Sequence, residues 1–418
     1  MGWFPSGLQS DQSGWRFDIV GLLAVVGSSA IQKHLQAITA SPFAIFPRLL
    51  PAPETLLDTN RPKRPPSVKG VTMVGVHSGN IFHELNFFAN IWQDVDEIEK
   101  YEFRVYNIRY NKADSERGTS SSQSQDDGGV SIKLQTFCWL NILTLVSILM
   151  TAGLFVWAGC IGDGAALVGL GTMSLSTSTA SLSARWYPRL TARTAIAKVP
   201  RGDMIIKTSA GAFILVRGEE DVIRELYGNV GDCKYQYSGK RHHLLLAAST
   251  ILLMASIIIF SNCGWVMQIA IGVAYIILNM LYWLLALLVK PKDIWDMSRY
   301  VLEEAPTAKD ANKNARKGTK KGATPNYTNT LWQAINTTKT IDWVSKGGFA
   351  PSTEAWKMWL MEAKSNIGNN DWDAVKRKDE LMRTNGSPSV EAARSRNTLC
   401  KNPGDEENIL GNQFDPSC

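Results

Sequence analysis

Five histidines, His34, His77, His83, His242 and His243, are the side chains in this 418-residue chain best suited to acid–base or metal chemistry. The stretch HELNF at 83–87 opens like a zinc-protease helix, in which two histidines one turn apart hold the metal and the glutamate activates water. Here Phe87 occupies the place of the second ligand. His77, His83 and Glu84 reach a metal only with a further ligand from elsewhere, and an ordinary polar turn and helix start account for them. His242 and His243 follow Lys240 and Arg241 at the edge of an apolar run, where a cationic interfacial role suffices. YSGKRHH at 237–243 has a Gly-Lys pair but lacks the earlier glycine of a phosphate-binding loop. No G-x-S-x-G, G-x-G-x-x-G, C-x-x-C or aspartate-rich motif occurs, so no catalytic, metal-binding or cofactor-binding residue is assigned and no cofactor is expected.

The elements that position these residues are set by two apolar blocks. Leu244 to Val289 runs for 46 residues without a charge. As one helix it would be about 69 Å long, against a hydrocarbon slab of about 30 Å. Two spans, 243–260 and 265–289, joined by a turn at Ser261-Asn262-Cys263-Gly264, satisfy that length. Between Lys133 and Arg185 the only charge is Asp163, set among Gly159, Gly162 and Gly164, which predicts a second hairpin with spans 137–158 and 165–183. The latter span is rich in small and hydroxylated residues, which let helices approach closely, and is expected at the centre of the bundle. Gln268 and Asn279 are candidates for interhelical polar contacts. Cys160 and Cys263, one near each tip, are a possible disulfide; the other four cysteines are scattered.

Neither tip carries Lys or Arg, whereas the segment 184–242 carries eleven against six acids. The basic side is expected to be cytosolic, with both tips facing the lumen or exterior. The net charge of +6 then reflects orientation and anionic lipid, and no nucleic acid partner is expected. Residues 17–38 form a shorter apolar segment, either a brief additional span or an interfacial helix. No cleaved signal is read in the first residues, and bulky Trp3 and Phe4 weaken a loose myristoylation match at Gly2.

The hydrophilic remainder divides into a cytosolic linker and small α/β module at 41–136, a β-rich insert at 184–242 and a tail at 291–418. Residues 47–69 are proline-rich and predicted to be extended. In the tail, 309–322 holds six Lys or Arg in fourteen residues and is expected to be an unstructured basic tether. Its Lys317, Lys320 and Lys321 are candidates for anionic lipid. The Trp-rich element 331–366 places Trp356, Trp359 and Leu360 on one helical face, for packing on the insert or for contact with a cytosolic protein partner or lipid. The last forty-odd residues are expected to be disordered.

FDIVGLLAVVGSSAIQKHL, PRLLPAP, SLSARW, RTAIAKVPRGD and GGFAPSTEAW, in this order, are similar to elements of multi-pass integral membrane proteins of filamentous fungi, a group of unknown function. The likeness touches most of the chain except 111–130 and the end. It implies a membrane-inserted first segment and no catalytic residues. The fold expected is therefore a mainly α, polytopic helical membrane protein with four spans, a further N-terminal one, and small cytosolic α/β modules. Its expected role is non-catalytic binding or scaffolding. The alternatives are a transporter or channel subunit, and a membrane-associated accessory protein or enzyme of fungal secondary metabolism.

Overall fold

The computed structural model describes residues 29–58, 61–111, 129–191, 201–228, 231–306, 308–316, 325–369 and 371–386. In chain order these form α1 (Ser29–Ala40), β1 (Val68–Gly75), β2 (Ile81–Leu85), α2 (Phe87–Gln93), β3 (Phe103–Tyr110), β4 (Gly129–Ser131), α3 (Trp139–Ile161) and α4 (Gly164–Ala184). Then follow β5 (Trp186–Thr191), β6 (Met204–Lys207), β7 (Phe213–Gly218), α5 (Glu220–Leu226), β8 (Asp232–Tyr235), α6 (Lys240–Phe260) and α7 (Trp265–Leu288). The last elements are β9 (Tyr300–Glu304), α8 (Ala308–Arg316), α9 (Tyr327–Thr338), α10 (Asp342–Lys346), α11 (Glu354–Ser365) and α12 (Ala374–Gly386).

The fold is mainly helical, and α3, α6 and α7 are each long and apolar enough to cross a membrane. α4 falls below that apolarity because eight of its 21 residues are Ser or Thr. It is nonetheless the most enclosed of the four. Ser176 Oγ donates to Ser249 O and Ser249 Oγ donates to Ser176 O, both at 2.8 Å, which draws α4 and α6 together. At Gly169 a Cβ would lie 2.7 Å from the Phe260 ring, so only glycine lets that ring seat between the helices. Asp163 caps α4 by accepting from Ala166 N at 2.9 Å, and its second oxygen accepts from Gly264 N at 2.8 Å. One carboxylate thus ties the two hairpin tips together.

The hydrophilic segments do not form separate modules. Strands from all three interleave in one six-stranded sheet of order β2-β1-β6-β7-β3-β9. β7 runs parallel to β3, pairing Phe213 with Phe103, and the remaining neighbours are antiparallel. FILV in β7 is continuously apolar because both sheet faces are covered. Phe213, Leu215, Ile205, Phe103, Val105 and Val74 pack under the C-terminal helices; Ile214, Val216, Ile206, Met204 and Met73 face α2, α5 and the base of the long helices. A second sheet, β4-β5-β8, is antiparallel. The physical reason the expected modules merge is burial: no one of these strand groups can cover both faces of its own strands.

Residues 41–57, expected within an extended cytosolic linker, instead enter the helix bundle and come back out. Ser41 donates to Asn141 Oδ1 at 2.8 Å near the start of α3. Ten residues (about 15 Å) further along α3, Thr151 Oγ1 accepts from Leu49 N at 2.9 Å. Tyr275, near the middle of α7, accepts from Ala52 N at 2.7 Å. Ser147 donates to Leu49 O, and Thr177 donates to Arg48 O at 2.6 Å. Arg61 returns to the base, where it donates to Ser183 O and, at 2.6 Å, to Tyr237 O. Irregular backbone away from water must find such partners, and the hydroxyls of α3, α4 and α7 provide them.

Two further expectations are corrected. The basic tether is helical where described: Ala308, Ala311 and Ala315 share one face of α8, Ala308 and Ala315 are buried, and Asn312 Oδ1 accepts from Phe103 N at 3.3 Å. Three alanines suffice to bury one side of a short polar helix against β3. The disorder expected for the last forty-odd residues does not hold for α12, whose Leu381 is buried. Of the segment 17–38, the described part forms α1 and buries Ile31.

Candidate functional site

A cavity of about 420 Å³ lies where the long helices meet the two sheets. α1 contributes Lys33, His34 and Gln36; the chain leaving the bundle contributes Leu56, Asp58 and Arg61. Ser183 at the end of α4, His242 at the start of α6, and Trp186, Tyr235 and Trp295 complete the walls used below. Trp186 is held by donation from Nε1 to Gln36 O at 3.0 Å and to Thr39 Oγ1 at 3.1 Å, and its ring lies 5.9 Å from that of Trp295.

The polar side of this cavity is rich in N–H donors. Arg61 stacks 4.6 Å over the Tyr235 ring while Nη1 and Nη2 hold main-chain carbonyls, and its buried Nε has no partner among the described residues. Burial lowers the Arg61 pKa, yet guanidinium remains charged under any protein condition. Ser183 Oγ lies 2.7 Å from His242 Nδ1 and 3.4 Å from Arg61 Nη2. Where the Ser183 hydroxyl accepts from arginine and donates to Nδ1, His242 Nε2 bears the hydrogen. That Nε2 and the Nε2 of His34 are both buried without a partner among the described residues. Lys33 Nζ donates to Ala286 O at 2.5 Å. Burial, then Asp232, pushes the Cys233 thiol up to about 12, and burial, then Cys233, pushes Tyr235 to about 12. Both therefore stay protonated near neutrality, and neither acts as a ready nucleophile or base.

A second unusual group lies deeper. Arg48 is 1% exposed in the entering segment; Nη1 donates to Ala44 O at 2.7 Å, while Nε and Nη2 have no partner among the described residues.

The residues singled out from sequence are dispersed. His77 Nε2 stands 3.7 Å from Asp203, and exposed His83 lies on β2; no cluster suited to a metal occurs among the described residues. Cys160 and Cys263 are both free, Cys160 exposed and Cys263 buried. Gln268 Nε2 donates to Cys263 O at 3.1 Å and Phe260 O at 3.3 Å, linking α7 to the end of α6, whereas the buried Asn279 Oδ1 has no partner among the described residues. Trp356, Trp359 and Leu360 are buried under the sheet at 8%, 0% and 8% exposure, with Trp359 Nε1 donating to Ala374 O at 2.8 Å. Their apolar surface is taken up by the core, as in the packing alternative, and not presented for contact with a partner or lipid. Lys317, Lys320 and Lys321 lie outside the described residues.

Sequence reasoning missed Arg48, Arg61 and His34. A signal for the first existed: between Lys33 and Glu54, Arg48 is the single charged side chain. Comparison with protein-family models, with curated proteins and with solved structures finds no match.

Proposed function

We propose that this chain is a polytopic integral membrane protein, with four crossings in two hairpins, that holds one α/β domain against the cytosolic face and binds a small ligand non-catalytically where domain and helices meet. The six-stranded sheet carries the reading. Its strands come from before α3, from between α4 and α6, and from after α7, so these three stretches share a compartment. A chain that leaves through α3 must then return through α4, although α4 is less apolar. At 21 residues, or about 31 Å, α4 is long enough. Its hydroxyls are turned into the bundle or bonded to its own carbonyls, which makes such a span tolerable in lipid. Residues 41–57 are then a re-entrant segment. Tips without Lys or Arg and basic shoulders put the sheet on the cytosolic side. A cavity lined by donors and aromatic rings, with thiol and phenol held protonated, suits holding a ligand more than transforming it.

Topology is tested by glycosylation. An acceptor sequon introduced into the 261–264 tip is expected to be modified, and the natural sequons at Asn326, Asn336 and Asn385 are not. Modification of any natural sequon, or release of the protein by alkaline carbonate, overturns the reading. Arg48 favours a second reading, an anion transporter or channel subunit, because a buried cation within a span region commonly marks an ion path. Reconstituted anion flux that disappears in Arg48→Gln would support it, and absence of flux in the unaltered protein would remove it.

A further inference from the structure

We propose that the junction cavity takes a single-chain amphiphile with one carboxylate head, a long-chain fatty acid, with the head received by Arg61, His34 and His242. This rests on the reading of that cavity as a ligand site and adds the ligand's chemistry.

The cations come first, Arg61 half-buried and Lys33 exposed. Arg61 and Lys33 both line the cavity and both donate to main-chain carbonyls, which leave their positive charges unneutralised. Among the described residues Asp58 is the one acid lining the cavity. Two cations against one carboxylate leave room for one negative charge, so a monoanion completes the balance where a phosphate dianion would exceed it.

The donors narrow the head further. The paired Nη atoms of Arg61, the fork that grips phosphate, are already held by Ser183 and Tyr237. What remains is a set of single donors: Arg61 Nε and, in their Nε2–H tautomers, His242 Nε2 and His34 Nε2. Buried nitrogens without partners are costly, and a carboxylate offers two acceptor oxygens to satisfy them. Leu56, Trp186, Val289, Ile294 and Trp295 give the wall an apolar side, while Gln32, Gln36, Thr39 and Thr55 add neutral polar groups. At about 420 Å³ the cavity falls toward the small end of ligand sites, fitting one chain better than the two of a phospholipid. Val289 directly follows the apolar helix α7 and precedes Lys290, the level at which an amphiphile in a bilayer keeps its head.

The experiment uses the full-length protein in lipid nanodiscs and a tritiated palmitic acid bearing a photoactivatable diazirine. Saturable labelling is expected on peptides covering residues 33–39, 56–62 or 289–295. Excess palmitic acid should displace it, and hexadecan-1-ol, of the same chain length without the charge, should not. His34→Phe, which removes an Nε2 without a partner among the described residues, is expected to weaken labelling by about tenfold while the melting profile stays unchanged. Equal competition by hexadecan-1-ol overturns the carboxylate assignment and leaves the cavity as a ligand site. Unchanged labelling of His34→Phe overturns the head assignment. No saturable labelling at these peptides, with none by a diazirine-bearing hexadecanol either, overturns the ligand-site reading itself.

Discussion

The main-chain N–H of Ala52 donates to the phenolic oxygen of Tyr275 at 2.7 Å, joining the deepest part of an irregular segment to the middle of α7. Ala52 itself has φ of 50°, a left-handed conformation uncommon for alanine, and is fully buried. Backbone in this conformation and place persists only when its surroundings hold it.

Tyr275→Phe removes a single oxygen and leaves the Ala52 amide without an acceptor. A loss of about 1–3 kcal/mol is expected, read as a lower melting temperature of the detergent-solubilised protein. An unchanged melting temperature would mean that the segment leaves the bundle readily.

Gly169→Ala places a methyl group against Phe260. A cost of about 1–3 kcal/mol is expected from the forced shift of the ring. Pairing it with Phe260→Leu should recover part of the loss, and a double-mutant cycle of thermal stabilities measures that coupling. Simple additivity of the two changes would contradict direct contact.

Glu225 is buried and accepts from Tyr300 OH at 2.5 Å, Tyr110 OH at 2.7 Å and Arg299 Nε at 3.2 Å, clasping α5 to β3 and β9. Burial, then the charge of Glu225, raises the pKa of both tyrosines, so each remains a donor. Glu225→Ala is expected to cost about 3–5 kcal/mol, since the donors lose their shared acceptor. Limited proteolysis should then cut near 298–306, where β9 leaves the sheet edge; Tyr300→Phe should have a smaller effect in the same direction.

The ion pair between Glu362 and Arg377 supports α11 against α12, with Arg377 Nε 2.6 Å from Glu362 Oε2. The hydrogen bond from Arg377 holds the Glu362 carboxyl below its ordinary value of 4.5. A carboxylate depressed on folding stabilises fully above its unfolded pKa, and that contribution disappears as pH falls through the lower folded value. Glu362→Gln should therefore reduce the urea midpoint at pH 7 and reduce it by less at pH 3, below the ordinary carboxyl value of 4.5. An equal loss at both values would assign the effect to packing.

Trp359→Ala empties a fully buried site under the sheet and is expected to cost about 3–5 kcal/mol. Circular dichroism melts of the full chain check this. A loss under 1 kcal/mol would show that the C-terminal helices do not cover the sheet in solution.

Much of the helical frame was legible in the residues. Runs without charge and glycine-rich or SNCG breaks located the turns of both hairpins, because length and polarity are local properties. The small-residue composition of 164–184 pointed to close packing before any contact was known, and the structure gives that packing through Gly169, Ser176 and Ser249. The Trp-rich segment pointed to packing on the insert or to an outside contact, and Trp343 lies 6.3 Å from Phe213 of β7. The cavity was not legible. His34, Arg61, Ser183 and His242 are far apart in sequence, and the tertiary path that takes residues 41–57 into the bundle and sets Arg61 at its base brings them together.

By itself the sequence determined which stretches avoid water and where they turn, since side-chain transfer from water depends on composition over a few turns of helix. The tertiary structure alone decided that three hydrophilic stretches share one sheet and that a proline-rich segment runs among the helices. Strand pairing between β3 and β9 and hydroxyl contacts such as Thr151 to Leu49 join residues roughly a hundred or more positions apart. No local pattern encodes such a pairing, because each strand or backbone amide accepts many partners equally well until burial selects one.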